Sequence, residues 1–171
     1  MAVGEHKGKH LNAGCMIITI SDTRTAATDK SGRLIATMLE QAGHRVEAKE
    51  IVPDESRAVQ TAIEKGCDHA AIDVILTNGG TGIAARDITI ETVQPMLDKE
   101  ISGFGELFRM LSYAEDIGSA ALMSRAVAGI KNDTAIFSMP GSSGAVKLAM
   151  QKLIMPELSH IVYELRKDLG N

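Results

Sequence analysis

Tryptophan is absent from this sequence, and phenylalanine and tyrosine number only 3 and 2. A surface that stacks on successive bases needs aromatic planes, so no such surface is expected. Nor is there positive charge to gather a polyanion: 18 Lys and Arg stand against 22 Asp and Glu, a formal charge of -4. No nucleic-acid partner follows from that balance. Cys15 and Cys67 are the only cysteines, far apart and without metal-ligand spacing. That excludes a disulfide framework and points to a reduced, cytoplasmic setting. No apolar run approaches the roughly 18 residues that cross a bilayer, so no membrane partner is expected.

What is present suits a globular protein with an aliphatic core, 44% of the 171 residues being apolar. Residues 1–13, rich in charge and glycine, read as a mobile tail ahead of a single domain spanning 14–169. His6 and His10 lie in that tail with no third metal ligand in reach.

Strand and helix patterns alternate along the rest of the chain. Cys15–Ile20 is a short apolar run suited to a central strand. A helix from about Asp29 to Ala42 follows, with Leu34, Met38 and Leu39 on one stripe and Gly43 placed to end it. Arg45–Val52 alternates like a half-buried strand, and Pro53-Asp54-Glu55-Ser56 leads into a helix facing inward through Val59, Ala62 and Ile63. Ile72–Leu76 is another buried strand. Thr89 is placed to cap a short helix, and Gly103-Phe104-Gly105-Glu106 opens a longer one. Ala120–Ile130 and Thr134–Met139 flank a hairpin turn at Lys131-Asn132-Asp133, and Pro156 is expected to divide the last helix in two. The pattern predicts a mostly parallel sheet with helices on both faces and one antiparallel strand near an edge.

In such sheets ligands sit beyond the carboxyl ends of the strands. Four polar or glycine-rich segments follow strands here: Ser21–Thr25, Pro53–Ser56, Asn78–Asp87 and Pro140–Gly144. The stretch Thr77-Asn78-Gly79-Gly80-Thr81-Gly82 is the most telling, because glycines let the backbone turn and bring N–H groups against an anion. It contains Gly80-x-Gly82-x-x-Ala85, close to a dinucleotide fingerprint. That motif normally opens a long helix at once, however, whereas Arg86-Asp87-Ile88-Thr89 and then Pro95 intervene. No P-loop ending occurs.

Asp87 reads as a helix cap or a partner of Arg86, or else as a Mg²⁺ ligand on phosphates, and Asp54 either as a helix cap or as a second carboxylate of the same centre. Asp22 sits in a third rim loop. Ser142 and Ser143, after Pro140-Gly141, read equally as a helix start and as a phosphate cradle. Arg109, Ser124 and Arg125 are polar groups that could face a large anionic substrate, with surface duty the simpler reading. His44, His69 and His160 have no partnered nucleophile, and no Ser–His–Asp or Cys–His arrangement is present.

Taken together, these segments resemble the MoaB/MogA family of molybdenum-cofactor biosynthesis proteins. The resemblance is carried by Ser21-Asp22-Thr23-Arg24, Thr28-Asp29-x-Ser31-Gly32, Ile51-Val52-Pro53-Asp54-Glu55, Thr77–Gly82 and Arg86-Asp87-Ile88-Thr89. Gly103-Phe104-Gly105-Glu106-Leu107-Phe108-Arg109, Ser124-Arg125-Ala126 and Pro140-Gly141-Ser142 extend it, so that it runs from about Cys15 to Leu165. The Gly-Phe-Gly-Glu-Leu-Phe-Arg segment is closer to the MoaB side. Asn78 stands where Thr is usual, and Ile90 follows Thr89 where Pro is common.

The resemblance implies a three-layer α/β/α fold that binds molybdopterin, a pterin with a dithiolene and a terminal phosphate. Active members transfer AMP from Mg-ATP to that phosphate and release pyrophosphate. It implies Asp54 and Asp87 as the catalytic pair organising Mg²⁺ and the ATP phosphates, with Gly79, Gly80 and Thr81 cradling the anion. Ser142 and Ser143 would meet the pterin or its phosphate. Ser21, Asp22, Gly82, Glu106, Ser124 and Gly141 join the substrate and nucleotide site by the same resemblance. It also implies trimers, or trimers paired into hexamers. A non-catalytic molybdopterin carrier, or a scaffold for other proteins of the pathway, would keep the same pocket and remains the alternative.

Overall fold

A run buried on both sides forms the centre of the sheet. In the computed structural model, which describes residues 11–167 and 169, every residue of Gly14–Ile20 (β1) is buried. Alternate side chains enter two different cores: Cys15 and Ile17 face one, and Met16, Ile18 and Ile20 the other. This is the period-2 geometry of a strand covered on both faces. β1 pairs in parallel with Arg45–Val52 (β2) and with Val74–Asn78 (β3). The sheet is completed by Lys99–Glu100 (β4), Val127–Lys131 (β5) and Thr134–Met139 (β6), in the order β2-β1-β3-β6-β5-β4. β3 and β6 are parallel, while β5 runs antiparallel to both β6 and β4. The one reversed strand therefore lies next to an edge, as the alternation predicts.

Helices cover both faces. Lys30–Gln41 (α1) starts at Asp29, whose side chain accepts from the Gly32 amide, and stops where Gly43 takes φ 83°. Its Ile35 and Leu39 are fully buried, worth about 1.5–3 kcal/mol each on transfer from water. They share the first core with Phe104 and Phe108 of Ser102–Glu115 (α4), Val146 of Ser143–Ala149 (α5) and Leu158 of Met155–Arg166 (α6). Phe104 meets Phe137 of β6 edge to face, with centroids 5.2 Å apart. On the opposite face Val59, Ala62 and Ile63 of Ser56–Cys67 (α2) pack with Val93 of Thr89–Val93 (α3). The result is three layers.

Two expectations are corrected. Ala120–Met123 is not strand: Gly118–Met123 forms a 3₁₀ turn that leaves Leu122 exposed, and the strand begins only at Val127. That apolar stretch lacks the β-branched residues that favour a strand. Thr89 is the first residue of α3 and makes no cap bond there, its hydroxyl reaching back to the Gly79 carbonyl instead. As expected, the last helical run is in two α-helical pieces: α5 ends at Ala149, and α6 opens at Met155 with Pro156 in its first turn, where its missing N–H is tolerated. A π-helical segment, Met150–Ile154, joins α5 to α6.

Of the expected tail, residues 1–10 lie outside the described residues. The Leu11 carbonyl accepts from Ser159, and Ala13 is buried with its amide on His44 Nδ1. Among the described residues no helix is long and apolar enough to cross a membrane.

Candidate functional site

The parallel strands β1, β2, β3 and β6 end on one rim, and their loops touch. The Ser21 amide donates to the Val52 carbonyl at 2.9 Å, which joins the β1 and β2 ends. Gly79, at φ 102°, donates to the Met139 carbonyl at 3.0 Å and joins the β3 and β6 ends. A Cβ on Gly79 would collide with the Ile20 carbonyl oxygen, and one on Gly141 would lie 3.1 Å from the Gly79 Cα. Close approach of three strand ends is what these positions require of glycine.

A cleft of about 600 Å³ opens on this rim, a size suited to a small-molecule ligand. Ser21, Gly79, Gly80, Thr81, Gly82, Asp87, Ser124, Gly141 and Ser142 of the expected site residues line it. Among the described residues, the amides of Gly80, Thr81 and Gly82 on one wall, and of Gly141 and Ser142 on another, donate to no protein acceptor. Ser142 caps α5, its hydroxyl accepting from the Ala145 amide at 3.2 Å. Arg24 also lines the cleft; it donates to the Thr28 carbonyl and forms no ion pair among the described residues. Free amides on two walls and an uncompensated guanidinium suit an anion.

The two aspartates come together across the glycine turn. Asp54 Oδ1 lies 2.9 Å from where a Gly80 Cβ would stand, and Asp87 Oδ2 lies 2.5 Å from the corresponding point on Gly82. Asp54 is thus behind the cleft wall, and Asp87 on it. Burial first, and then the negative charge of Asp87, pushes the Asp54 carboxyl above the usual carboxylate range. Asp87 Oδ2 accepts from the Ala84 amide at 2.9 Å. Arg86 pairs with Asp22 rather than with its neighbour Asp87. Neither Asp54 nor Asp87 pairs with a side-chain cation among the described residues.

Besides Asp54, three expected residues stand off the cleft wall. Asp22 is held on Arg86 and Asp54, Ser143 is exposed one residue beyond Ser142, and Glu106 is exposed on α4. Arg125, weighed above as a surface group, lines the cleft, bonding the Thr81 and Gly82 carbonyls and pairing with Glu91. Each partner of that pair stabilises the other's charge, holding the Glu91 carboxyl below its ordinary value and the Arg125 guanidinium above its own. Ser112 and Asp116, at the end of α4, line the cleft and were missed. Ser112 falls on the stripe of Phe104 and Phe108, and a polar residue on a buried stripe is a readable signal.

Thr19, Ser31 and Asn78 of the cleft lining form a polar network with Asp29. The Thr19 hydroxyl donates to Asp29 at 2.8 Å, the Ser31 hydroxyl to Asn78 Oδ1 at 2.8 Å, and Asn78 Nδ2 to Thr19 Oγ1 at 3.1 Å. All four residues are buried, so Asn78 satisfies Thr19 and Ser31 through two different atoms.

Nearly the whole chain matches known proteins in sequence and fold. Residues 16–160 match the family model described as a probable molybdopterin binding domain. The chain is 60% identical over 169 residues to molybdenum cofactor biosynthesis protein B of Bacillus subtilis, covering 98% of this chain and 99% of that one. A crystal structure of a molybdenum cofactor biosynthesis protein B superposes with a TM-score of 0.91 at 57% identity, over 92% of this chain and 98% of that one. The tungsten cofactor synthesizing protein MoaB of Pyrococcus furiosus superposes with a TM-score of 0.80 at 40% identity, over 91% and 98%.

Proposed function

The chain belongs to the MoaB/MogA family of molybdenum cofactor biosynthesis proteins, and from that premise we propose that it binds molybdopterin in the rim cleft and transfers AMP to it from Mg-ATP. The observation that carries the reading is the approach of Asp54 and Asp87 across a glycine turn whose amides have no protein acceptor.

Chemically, an oxygen of the pterin's terminal phosphate attacks the α-phosphorus of ATP. A P–O bond forms there as the bond to the bridging α,β-oxygen breaks, and pyrophosphate leaves with that electron pair. The acceptor is already anionic near neutral pH, so no general base is required. The work of the protein is positioning and charge stabilisation. Free amides from the β3 and β6 loops, with Arg24, supply donors for phosphate oxygens. Ser142 and Ser143 stand at the mouth of the β6 loop, where the pterin or its phosphate would lie.

The carboxylates suit Mg²⁺. Among the described residues no three His, Cys, Asp or Glu gather to hold a metal by themselves. Mg²⁺ commonly takes one or two carboxylates and completes its shell with substrate phosphates and water. Asp54 and Asp87 would hold it, and when bound it would neutralise charge on the phosphates.

The rest of the reading follows the family. Trimers, or trimers paired into hexamers, are expected, and the exposed apolar side chains Leu107, Met110, Tyr113 and Leu122 on α4 and the adjoining 3₁₀ turn supply a face for them. A reduced, cytoplasmic setting suits Cys15 and Cys67, both free thiols.

The test incubates the purified protein with Mg-ATP and molybdopterin and follows pyrophosphate and the adenylated pterin. Appearance of both supports the transferase. Tight molybdopterin binding with no pyrophosphate overturns it in favour of a carrier or scaffold for other proteins of the pathway.

A further inference from the structure

Four consecutive carbonyls of the glycine turn are each gripped from outside the turn. The Thr89 hydroxyl donates to the Gly79 carbonyl at 2.8 Å, and the Thr89 amide to the Gly80 carbonyl at 2.9 Å. Arg125 Nε donates to the Thr81 carbonyl at 3.0 Å, and its Nη2 to the Gly82 carbonyl at 2.7 Å. Among the described residues there are no cis peptide bonds. In a trans peptide the carbonyl of one residue and the N–H of the next point in opposite directions. Fixing the carbonyls of residues 79 to 82 therefore fixes the direction of the amides of residues 80 to 83.

From this we infer that Thr89 and Arg125 are positioning residues: by fixing these carbonyls they fix the amides of Gly80, Thr81 and Gly82 in the direction that serves the phosphates of the ligand. The inference rests on the nucleotide-site reading above and adds to it how the anion cradle is kept in shape. A turn whose amides must reorient on binding would give up affinity; one already held does not.

The two clamps share a single short helix. Thr89 opens α3 and is fully buried, while Glu91, two residues on, binds Arg125 through both carboxylate oxygens. Arg125 comes from the segment before β5, so the turn, α3 and the β5 entrance are locked together. The planar guanidinium serves two carbonyls and a carboxylate at once through three separate nitrogens in a fixed fork; a lysine ammonium carries its three donors on one nitrogen and has no such span.

The test is a titration of full-length ¹⁵N-labelled protein with inorganic pyrophosphate and separately with Mg-ATP, following the amide signals of Gly80, Thr81 and Gly82. It compares wild type with Thr89→Val, Thr89→Ser, Arg125→Lys and Glu91→Gln. Wild-type signals should shift on titration. Thr89→Val and Arg125→Lys should each lose roughly 10-fold or more in affinity, the scale of one hydrogen-bonded group acting on a charged ligand. Thr89→Ser, which keeps the hydroxyl, should bind like wild type, and Glu91→Gln should fall between. Before ligand is added, the same three signals should broaden or move in Thr89→Val and Arg125→Lys. If Thr89→Val does not fold, Arg125→Lys carries the comparison, since that side chain is partly exposed. Variants that bind pyrophosphate as tightly as a responsive wild type overturn the clamp alone. Wild-type signals that respond to neither ligand overturn the clamp and the nucleotide site together.

Discussion

Asp22 and Asp54 hold each other's backbone: the Asp22 amide donates to the Asp54 carboxylate at 3.0 Å, and the Asp54 amide to the Asp22 carboxylate at 3.1 Å. The loops after β1 and β2 are thereby stapled at the point where Asp54 approaches the glycine turn. Arg86, from the far end of that turn, closes the arrangement by pairing with Asp22. Asp22 thus takes the Arg86 cation as it builds the rim, and among the described residues Asp54 and Asp87 pair with no side-chain cation.

Replacing Asp54 by Asn separates charge from architecture. The amide oxygen can still accept from Asp22, so the staple survives, while the like-charge contact with Asp87 disappears. Thermal stability should hold or rise slightly in Asp54→Asn. Pyrophosphate release with Mg-ATP and molybdopterin should fall by about 10²-fold or more, the usual scale for losing one stabilising group in the transition state. Turnover equal to wild type would remove Asp54 from the chemistry.

The Asp54 carboxyl itself should titrate at a higher pH than an ordinary aspartate, and Asp87 accounts for the smaller part of that rise, after burial. In Asp87→Asn the Asp54 value should therefore drop only part of the way back, as read by ¹³C NMR of the carboxyl carbons. Because the folded value is the raised one, the folded protein binds a proton that the unfolded chain has already released. Stability from this group is full below the unfolded value and is lost as pH rises through the folded one. Asp87→Asn should flatten that acid-range slope.

How much of this was legible follows from which strand ends matter. The loops after β1, β2, β3 and β6 stood out because polar and glycine residues follow apolar runs, and these loops do meet on one rim. Arg125 stood out less, surface duty being its simpler reading, because it precedes its strand. β5 runs antiparallel to β6, with Val127 opposite Ser138, so the start of β5 lies at the rim where the parallel strands end. A search of carboxyl ends passes over such a residue, and only the pairing direction of β5 brings it in. The Asp29–Thr19 and Ser31–Asn78 bonds were hidden for a different reason. Each residue has a plausible local role, and only the parallel pairing of β1 with β3 stacks Thr19 beside Asn78.

Cys15 offers a readout of the core independent of the site. Burial raises its thiol from an ordinary 9.0 to about 12, with Asp73 adding to the rise. The unfolded chain ionises this thiol first, so its contribution to stability is full below about pH 9 and is lost as pH climbs toward the folded value. Chemical denaturation from pH 8 to 11 should show a falling slope that is shallower in Cys15→Ala, after allowing for the cavity that this substitution leaves. Identical slopes in the two proteins would mean that the thiol is not shielded as described.

The exposed apolar face predicts the assembly state. Leu122 is 88% exposed and Tyr113 66%, far more than an isolated aliphatic or aromatic side chain on a working surface needs. With Met110 they line one shallow depression between α4 and the 3₁₀ turn, on the same C-terminal turns of α4 whose buried side, at Ser112, walls the cleft with Asp116. Covering this face with another copy would brace that wall. Light scattering on the wild-type protein should give a multiple of the 18.2 kDa chain, with a trimer or hexamer expected. Leu122→Glu should shift it toward the monomer, because the new carboxylate would have to be buried unpaired. Its AMP transfer should fall as well, although Leu122 does not line the cleft. A wild-type monomer would leave the face without an occupant of its own kind. A Leu122→Glu monomer with full turnover would show instead that the cleft wall stands without the neighbour's support.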